Sequence, residues 1–296
     1  MNDSQRPPVQ GSLIDALVRA QATGTVEIID LTNELSADIA VLRLPAPYIN
    51  LHDFSLEPVA AFDERAPLWA HHNFRMGEHV GTHVDAPAHW ITGRDGKHIH
   101  ELAPTRLIGP AVVLDFVAEA RADADWCLEI ADVQQWERTY GPLPPNCWVL
   151  LRTGWDAYAR DPEKSLNADQ HGPHTPGVSP AAAEWLSQRE EVSGFGVETV
   201  GIDAGLAAGF EPAFPVHHYL LGADKYGVTS LQNLDQLPPT GALIVVAPLP
   251  IKNGTAAPAR VFAIVERPGA VAGQHPASPS YPSSPASPSS SDGDRR

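Results

Sequence analysis

Cysteine is nearly absent from this chain: its 296 residues contain two, Cys127 and Cys147. Two cysteines twenty residues apart rule out a disulfide framework and a CxxC metal or redox motif. Long apolar runs are also missing, and none approaches the roughly 18 residues that cross a bilayer. The polar first residues lack the apolar stretch of a secretory signal. We therefore expect a cytoplasmic protein that does not associate with membranes.

Positive charge is scarce as well. Lysine and arginine number 20 against 36 aspartates and glutamates, and the formal net charge is -16. A chain this acidic repels a phosphate backbone, which argues against nucleic acid as a partner. The partner class that remains is a small-molecule substrate.

Both ends of the chain differ in composition from its middle. The first ten residues are polar, and prolines recur at every third position from Pro276 to Pro288. That spacing suits polyproline II and cannot build a packed core. We therefore predict a flexible N-terminus over 1–10, one domain over 11–268 and a disordered Pro/Ser-rich tail over 269–296. A proline-rich docking segment is the alternative interpretation of the tail.

Short apolar runs bounded by turn residues dominate the middle of the chain and indicate buried strands. Strands are predicted at 26–31, 111–116, 147–155, 197–203, 241–251 and 260–266. Helices are predicted at 12–24 and 179–190, where Ser12 and Ser179 stand at N-cap positions. Strands outnumber helices and do not alternate with them regularly. This pattern favours an α+β fold with a mixed or barrel-like sheet over a doubly wound sheet.

One stretch, GEHVGTHVDAPAHW at 77–90, concentrates side chains that bind metals. Four of them fall within eleven residues: His79, His83, Asp85 and His89. The β-branched neighbours and Pro87 oppose a helix, so we predict an extended segment. In a straight strand the Cα atoms of His79 and His83 would lie roughly 13 Å apart. A bend at Gly81 is therefore expected, which would let the histidines and Asp85 converge on one ion.

A structural zinc site is a weaker interpretation of this stretch. Structural zinc sites are usually rich in cysteine and closed, whereas histidine and aspartate leave coordination positions open to water or substrate. Ordinary hydrogen-bonded histidines are the other alternative, since the chain holds 13 of them.

The stretch HVGTHVDAPAH resembles the signature of the cyclase family of metal-dependent hydrolases. That family includes kynurenine formamidases, isatin hydrolases and trans-dienelactone hydrolases. Further blocks resemble family blocks in the family order: LLRTGWD (150–156), VGIDAGL (200–206), FPVHHYLL (214–221) and NLDQLPPTGALIVVAPLPI (233–251). The resemblance covers about residues 26–266. It implies a swivelling β/β/α domain, with a mixed barrel-like sheet and peripheral helices, assembled as a homodimer or homotetramer.

The resemblance also implies roles for individual residues. His79, His83 and Asp85 would be metal ligands, and His89 would be the catalytic acid/base. His217, the first histidine of PVHH, matches a family histidine that contacts substrate or completes a second metal site.

The chain departs from the family at one position. In the formamidases a glutamate lies twelve residues after the histidine that matches His217, and it bridges two zinc ions. In this chain the residue twelve positions after His217 is Thr229. A threonine hydroxyl is a poor ligand at neutral pH, so one divalent ion is expected, either Mn²⁺ or Zn²⁺. Gln232 is a candidate for a further oxygen ligand, as a glutamine is in the isatin hydrolase branch.

These residues predict a hydrolase that opens a cyclic amide or lactone, or cleaves an amide, with a metal-activated water. The ordinary imidazole pKa near 6.5 suits His89 to acid/base catalysis. No GxSxG motif supports an acyl-enzyme route. Trp90 and Trp155 are candidate walls for a flat substrate ring, although core packing explains them equally well. The sequence leaves open a metal-dependent cyclase or dehydratase and an inactive ligand-binding relative.

Overall fold

The computed structural model describes residues 11–43, 47–170 and 172–267. The predicted flexible N-terminus (1–10) and the predicted tail (269–296) lie outside the described residues. Glu27–Glu266 form one compact unit, which contains nearly all of the regular structure. The first helix belongs to a second unit and contains no buried residue.

Within the described residues the chain forms five α-helices and twelve strands, besides short 3-10 helices and a π-helix at His217–Leu221. The helices are α1 (Leu13–Ala22), α2 (Val117–Ala122), α3 (Ile130–Tyr140), α4 (Pro162–Leu166) and α5 (Pro180–Ser187). The strands are β1 (Val26–Asp30), β2 (Ser55–Ala61), β3 (Ala70–Arg75), β4 (His83–Asp85), β5 (Ile108–Asp115), β6 (Cys127–Leu128), β7 (Cys147–Arg152), β8 (Gly177–Val178), β9 (Val192–Val197), β10 (Tyr226–Thr229), β11 (Ala242–Pro248) and β12 (Ala256–Glu266). Ser12 and Ser179 cap α1 and α5 as predicted, because each hydroxyl accepts a backbone N–H three residues on.

Eight strands form the main sheet, in the order β1-β12-β11-β5-β7-β9-β10-β4. The sheet closes because β12 is long enough to pair twice. Its first residues pair with β4, where Ala256 lies opposite Asp85, and its later residues pair with β11, where Ile264 lies opposite Leu243. Seven strands thus form a ring, and β1 adjoins β12 outside it. The predicted mixed, barrel-like sheet with peripheral helices is confirmed.

The ring mixes strand directions. β5, β7, β9 and β10 run parallel to one another. The other ring pairings, which involve β11, β12 and β4, are antiparallel. Apolar residues line both faces of the ring strands: one cluster includes Val84, Trp148 and Val228, and a second includes Val149 and Phe195. Burial on both faces explains the continuous apolar runs of the sequence.

The strand predicted at 197–203 was misplaced, because β9 ends at Val197. Its two glycines weaken the strand signal in the sequence, but the packing requires at least one of them. A Cβ on Gly194 would lie 2.5 Å from the Trp148 ring. Strand β9 ends at Val197, and Glu198 and Asp203 lie in the loop that follows it.

A separate two-stranded antiparallel sheet, the β2–β3 hairpin, exposes apolar side chains. Leu56 and Phe74 lie opposite each other and are 54% and 61% exposed. Contiguous exposed apolar side chains often mark an interaction surface. Among the helices that the structure describes, none is long and apolar enough to span a bilayer.

Candidate active site

The backbone turns sharply at Gly81 before it enters β4. Gly81 has a φ of +67°, and a Cβ there would lie 2.6 Å from Leu35 Cδ2. Val80 and Val84 on either side are fully buried, which anchors the turn in the core. The predicted bend is confirmed, although only His83–Asp85 of the predicted extended segment form a strand.

The bend gathers imidazoles around one carboxylate, Asp85, which is 1% exposed. His79 Nδ1 lies 2.8 Å and His83 Nε2 3.4 Å from Asp85 Oδ1. The His89 ring lies next to His79, with 4.1 Å between centroids, and 5.4 Å from the His217 ring. Four histidines and an aspartate thus form what we call the histidine cluster: His79, His83, Asp85, His89 and His217.

The histidine cluster fits a divalent cation. Donor atoms of His79, Asp85 and His89 all lie within 4.8 Å of one another. Asp85 Oδ1 is buried and lacks an aligned hydrogen-bond donor in spite of its close approach to His79. Nitrogen and oxygen atoms that converge without hydrogen bonding to each other have the arrangement of ligands around a cation. Two or more imidazoles with a carboxylate are a donor set typical of Zn²⁺ and Mn²⁺ sites.

His83 is held by β10 and by its own turn. Its Nδ1 lies 2.8 Å from the Gly81 carbonyl oxygen, which can only accept a hydrogen bond, so Nδ1 carries the proton. In the neutral ring Nε2 then carries the lone pair and faces Asp85, as metal ligation requires. Thr229 is paired with His83 across β10 and β4, and its hydroxyl lies 3.0 Å from the same Nδ1. The same hydroxyl lies 3.4 Å from Nε2, so Thr229 contacts the ring edge between the two nitrogens and brings no carboxylate to the cluster.

Mutual burial shifts the pKa values within the cluster. Burial alone would raise the pKa of the Asp85 carboxyl, but the neighbouring imidazoles of His83 and His79 outweigh it and hold this pKa well below its usual range. Burial, with the charges of His79 and His217, lowers the pKa of His89 to about 3 in spite of the opposing Asp85 charge. The ordinary pKa near 6.5 assumed from the sequence is thus wrong for His89, which is neutral at pH 7.

Two neighbouring histidines after Pro215 face different surroundings. The His218 ring packs on Tyr219, with 4.9 Å between centroids, while His217 Nε2 lies 3.8 Å from Asp85 Oδ2. His217 Nδ1 contacts the carboxylate of Asp203 at 2.5 Å. Burial would lower the pKa of His217, but hydrogen bonding and charge from Asp203 raise it. Asp203 was missed from the sequence, although it stands within the VGIDAGL block.

An aromatic wall borders the histidine cluster. The Trp90 and His217 rings lie 4.6 Å apart at an interplanar angle of 35°, and Phe214 packs edge-on against Trp90 at 5.6 Å. Sequence reasoning also missed Phe214. The available signal was its position three residues before His217 in the chain.

Trp155 packs in a different environment. Its indole N–H donates to the Ser165 carbonyl at 2.9 Å, its ring packs on Tyr158, and it is 8% exposed. This packing supports a structural role and gives no support to the predicted substrate contact.

Gln232 is tied to the end of β1. Its side-chain amide donates to the Thr32 carbonyl oxygen, and its backbone N–H donates to the Leu31 carbonyl oxygen at 3.1 Å. These contacts do not involve the histidine cluster, so ligation by Gln232 stays a prediction.

Comparison with known proteins assigns the chain to a family. The model of the Cyclase family, described as "Putative cyclase", matches residues 29–204. The chain belongs to the Cyclase family. Its curated relatives include an isatin hydrolase of Roseibium aggregatum, 39% identical over 86% of this chain and 98% of that protein. A kynurenine formamidase of Salinibacter ruber is 28% identical over 64% of this chain and 76% of the relative.

Solved structures of the Cyclase family agree with this placement. Isatin hydrolase A from Ralstonia solanacearum superposes with a TM-score of 0.85 and 42% identity, covering 88% of this chain and all of that one. The fold, the family signature and these relatives together make this Cyclase-family chain a hydrolase.

Proposed function

We propose that this hydrolase cleaves the C–N bond of a cyclic amide fused to an aromatic ring. The observation that carries the proposal is the histidine cluster bordered by the Trp90–Phe214 wall, which places acid/base groups beside a surface suited to a flat ring. Isatin hydrolase relatives that match over nearly their full length support a lactam as the substrate.

The proposed ligands of one divalent cation, Mn²⁺ or Zn²⁺, are His79, His83 and Asp85. When bound, such a cation polarises a carbonyl and lowers the pKa of water. Thr229 stands beside His83 without a carboxylate, which supports one ion instead of two. Gln232 remains a proposed additional oxygen ligand.

His89 is the proposed acid/base. In its neutral form it accepts a proton from the attacking water as the hydroxyl adds to the carbonyl carbon. The C–N bond then breaks, and His89 returns the proton to the leaving nitrogen. A pKa of about 3 makes His89 a weak base and its protonated form a strong acid, so the second transfer is favoured over the first. His217 is proposed to contact the substrate, because its Nε2 faces the cluster beside Trp90.

The proposed assembly is a homodimer or homotetramer in the cytoplasm. The exposed apolar side chains of the β2–β3 hairpin support self-association. Both cysteines of the chain are unpaired, which is consistent with a reducing compartment.

Turnover of three probes tests the proposal: isatin, the formamide of kynurenine and an aromatic lactone. We expect isatin to be opened fastest, activity to disappear after chelation, and Mn²⁺ or Zn²⁺ to restore it. Asp85→Ala should lose both metal and activity, whereas Asp95→Ala, which removes a carboxylate 93% exposed on the surface, should keep both. Faster turnover of the formamide would refute the substrate class. Failure on all three probes by the metal-loaded enzyme would refute amide hydrolysis.

A further inference from the structure

Asp203 connects two segments behind the histidine cluster. Its Oδ1 accepts the backbone N–H of Val216 at 2.7 Å. Its Oδ2 accepts the backbone N–H of His217 at 3.2 Å and contacts His217 Nδ1 at 2.5 Å. The carboxylate is 8% exposed, so little water competes for these contacts. One side chain therefore fixes both the backbone and the ring of His217.

The backbone beside Asp203 is held tightly in turn. Gly205 donates its N–H to the Thr175 carbonyl at 2.9 Å, and a Cβ on Gly205 would lie 2.4 Å from the Pro173 carbonyl oxygen. A Cβ on Gly177 would lie 2.3 Å from the Ala204 backbone nitrogen. Two glycines thus let the segments pack backbone to backbone, which leaves Asp203 little freedom to move.

The hydrogen-bond pattern fixes which nitrogen of His217 carries a proton. A carboxylate that already receives two backbone N–H groups acts as an acceptor, so His217 Nδ1 must be the donor. In the neutral ring Nε2 then carries the lone pair, and this nitrogen lies 3.8 Å from Asp85 Oδ2. Trp90, 4.6 Å away between centroids, restricts the ring from one side.

We infer that Asp203 is a positioning residue, which keeps a proton on His217 Nδ1 and directs Nε2 at the histidine cluster. Asp203 acts only through His217. The expected effect of Asp203 on turnover rests on the proposed function, in which His217 contacts the substrate. The proton position and ring orientation are properties of this chain by itself.

The first test locates the proton by NMR of the imidazole nitrogens in the wild-type enzyme, loaded with Zn²⁺ as a diamagnetic ion. Signals of His217 are assigned by their loss in His217→Ala. We expect a protonated Nδ1 whose proton resonates far downfield and is lost in Asp203→Asn. An unprotonated Nδ1 in the wild type would overturn the inference, whether or not Asp203→Asn folds and whether or not isatin is a substrate.

The second test is a double-mutant cycle on turnover of isatin. Carboxylate partners of metal-ligating histidines typically contribute about 10–100-fold, and we expect the same scale for His217. We expect Asp203→Asn to lower kcat by that factor, with KM changed less than about 3-fold. The same substitution should have almost no further effect on kcat in the His217→Ala background, because the imidazole that Asp203 orients is absent there.

Asp125→Asn is the matched control. It breaks another Asp–His pair, in which Asp125 Oδ2 lies 2.8 Å from His174 Nδ1, without touching His217. We expect it to keep wild-type kcat. If Asp125→Asn lowers kcat as much as Asp203→Asn does, or if Asp203→Asn acts fully in the His217→Ala background, Asp203 is merely structural and the inference fails.

Discussion

At the scale of single residues, the cluster histidines differ in what their second nitrogen contacts. His83 donates Nδ1 to the Gly81 carbonyl, and His217 contacts Asp203 through Nδ1. Both are oriented by fixed partners and present Nε2 to Asp85. His89 is governed by burial, which keeps it neutral. These surroundings distinguish two histidines oriented by hydrogen-bond partners from the buried His89, the candidate acid/base, although all are the same amino acid.

The separation of roles predicts the behaviour of His89→Ala. We expect it to retain the metal and lose turnover by about 10²–10⁴-fold, because it removes proton transfer and leaves three ligands in place. Metal analysis and kinetics on isatin measure both effects, and His100→Ala, outside the cluster, serves as the control. Loss of the ion from His89→Ala would make His89 a ligand, an arrangement that its closeness to His79 and Asp85 also permits.

Glu198 is a buried carboxyl outside the histidine cluster. Its Oε2 accepts the backbone N–H groups of Thr153, Gly154 and Trp155, and the residue is 4% exposed. Burial, with the nearby charge of Asp156, raises its pKa from 4.5 to about 7 in spite of these donors. The folded protein therefore holds a proton on Glu198 between about pH 4.5 and 7 that the unfolded chain releases.

This proton makes stability fall as the pH rises through that window. A shift of this size amounts to about 3 kcal/mol. We expect Glu198→Gln, which resembles the protonated acid, to gain about 3 kcal/mol over the wild type in free energy of unfolding between pH 4 and pH 8. Urea unfolding at a series of pH values measures the difference. The control Glu119→Gln, at an exposed position of α2, should follow the wild-type pH dependence. A constant difference between Glu198→Gln and wild type would contradict the raised pKa.

At the scale of elements, the site depends on a turn and a short strand. β4 contributes only three residues, yet it pairs with β10 on one side and with β12 on the other. The turn at Gly81 delivers His79 to the same carboxylate that β4 presents. The position of the cluster is therefore set where the barrel closes.

Gly81→Ala tests this dependence. A left-handed φ costs an alanine about 1–2 kcal/mol, and the new Cβ would also displace Leu35. We expect a lower Tm together with reduced metal content, because the turn can no longer hold His79 and His83 at their present separation. Gly141→Ala is the control: its φ is +98° with open space around it, so it should lower Tm and leave the metal content unchanged. Full metal content in Gly81→Ala would show that the turn does not set the ligand geometry.

At the scale of the whole molecule, the β2–β3 hairpin predicts self-association. The double variant Leu56→Ser/Phe74→Ser removes a cross-strand apolar pair from the exposed surface. If the hairpin forms the interface of the proposed oligomer, this variant should shift the sedimenting species to the monomer. The control is Ile108→Ser, at a position 45% exposed at the start of β5. It also removes an apolar surface side chain, but outside the hairpin, and should keep the oligomer. An unchanged oligomer in the double variant would place the interface elsewhere.

The sequence by itself determined what depends on neighbouring residues. Serine caps placed two helices, apolar runs placed most strands, and the β-branched pattern around Gly81 indicated a bent segment. The resemblance of HVGTHVDAPAH to a family signature was sufficient to predict the family. These features follow from backbone preferences and local patterns, which do not require knowledge of distant contacts.

Only the tertiary structure decided what depends on residues far apart in the chain. Closure of the barrel brings Thr229 against His83 and His217 against Asp85, across more than 130 positions. It also brings Asp203 and Phe214 to the histidine cluster and packs Trp155 in a different environment. The pKa of His89 changed from its ordinary value for the same reason. Burial and the fields of neighbouring charges arise only once the chain has folded, so the pKa of His89 cannot be predicted from the residues next to it in the sequence.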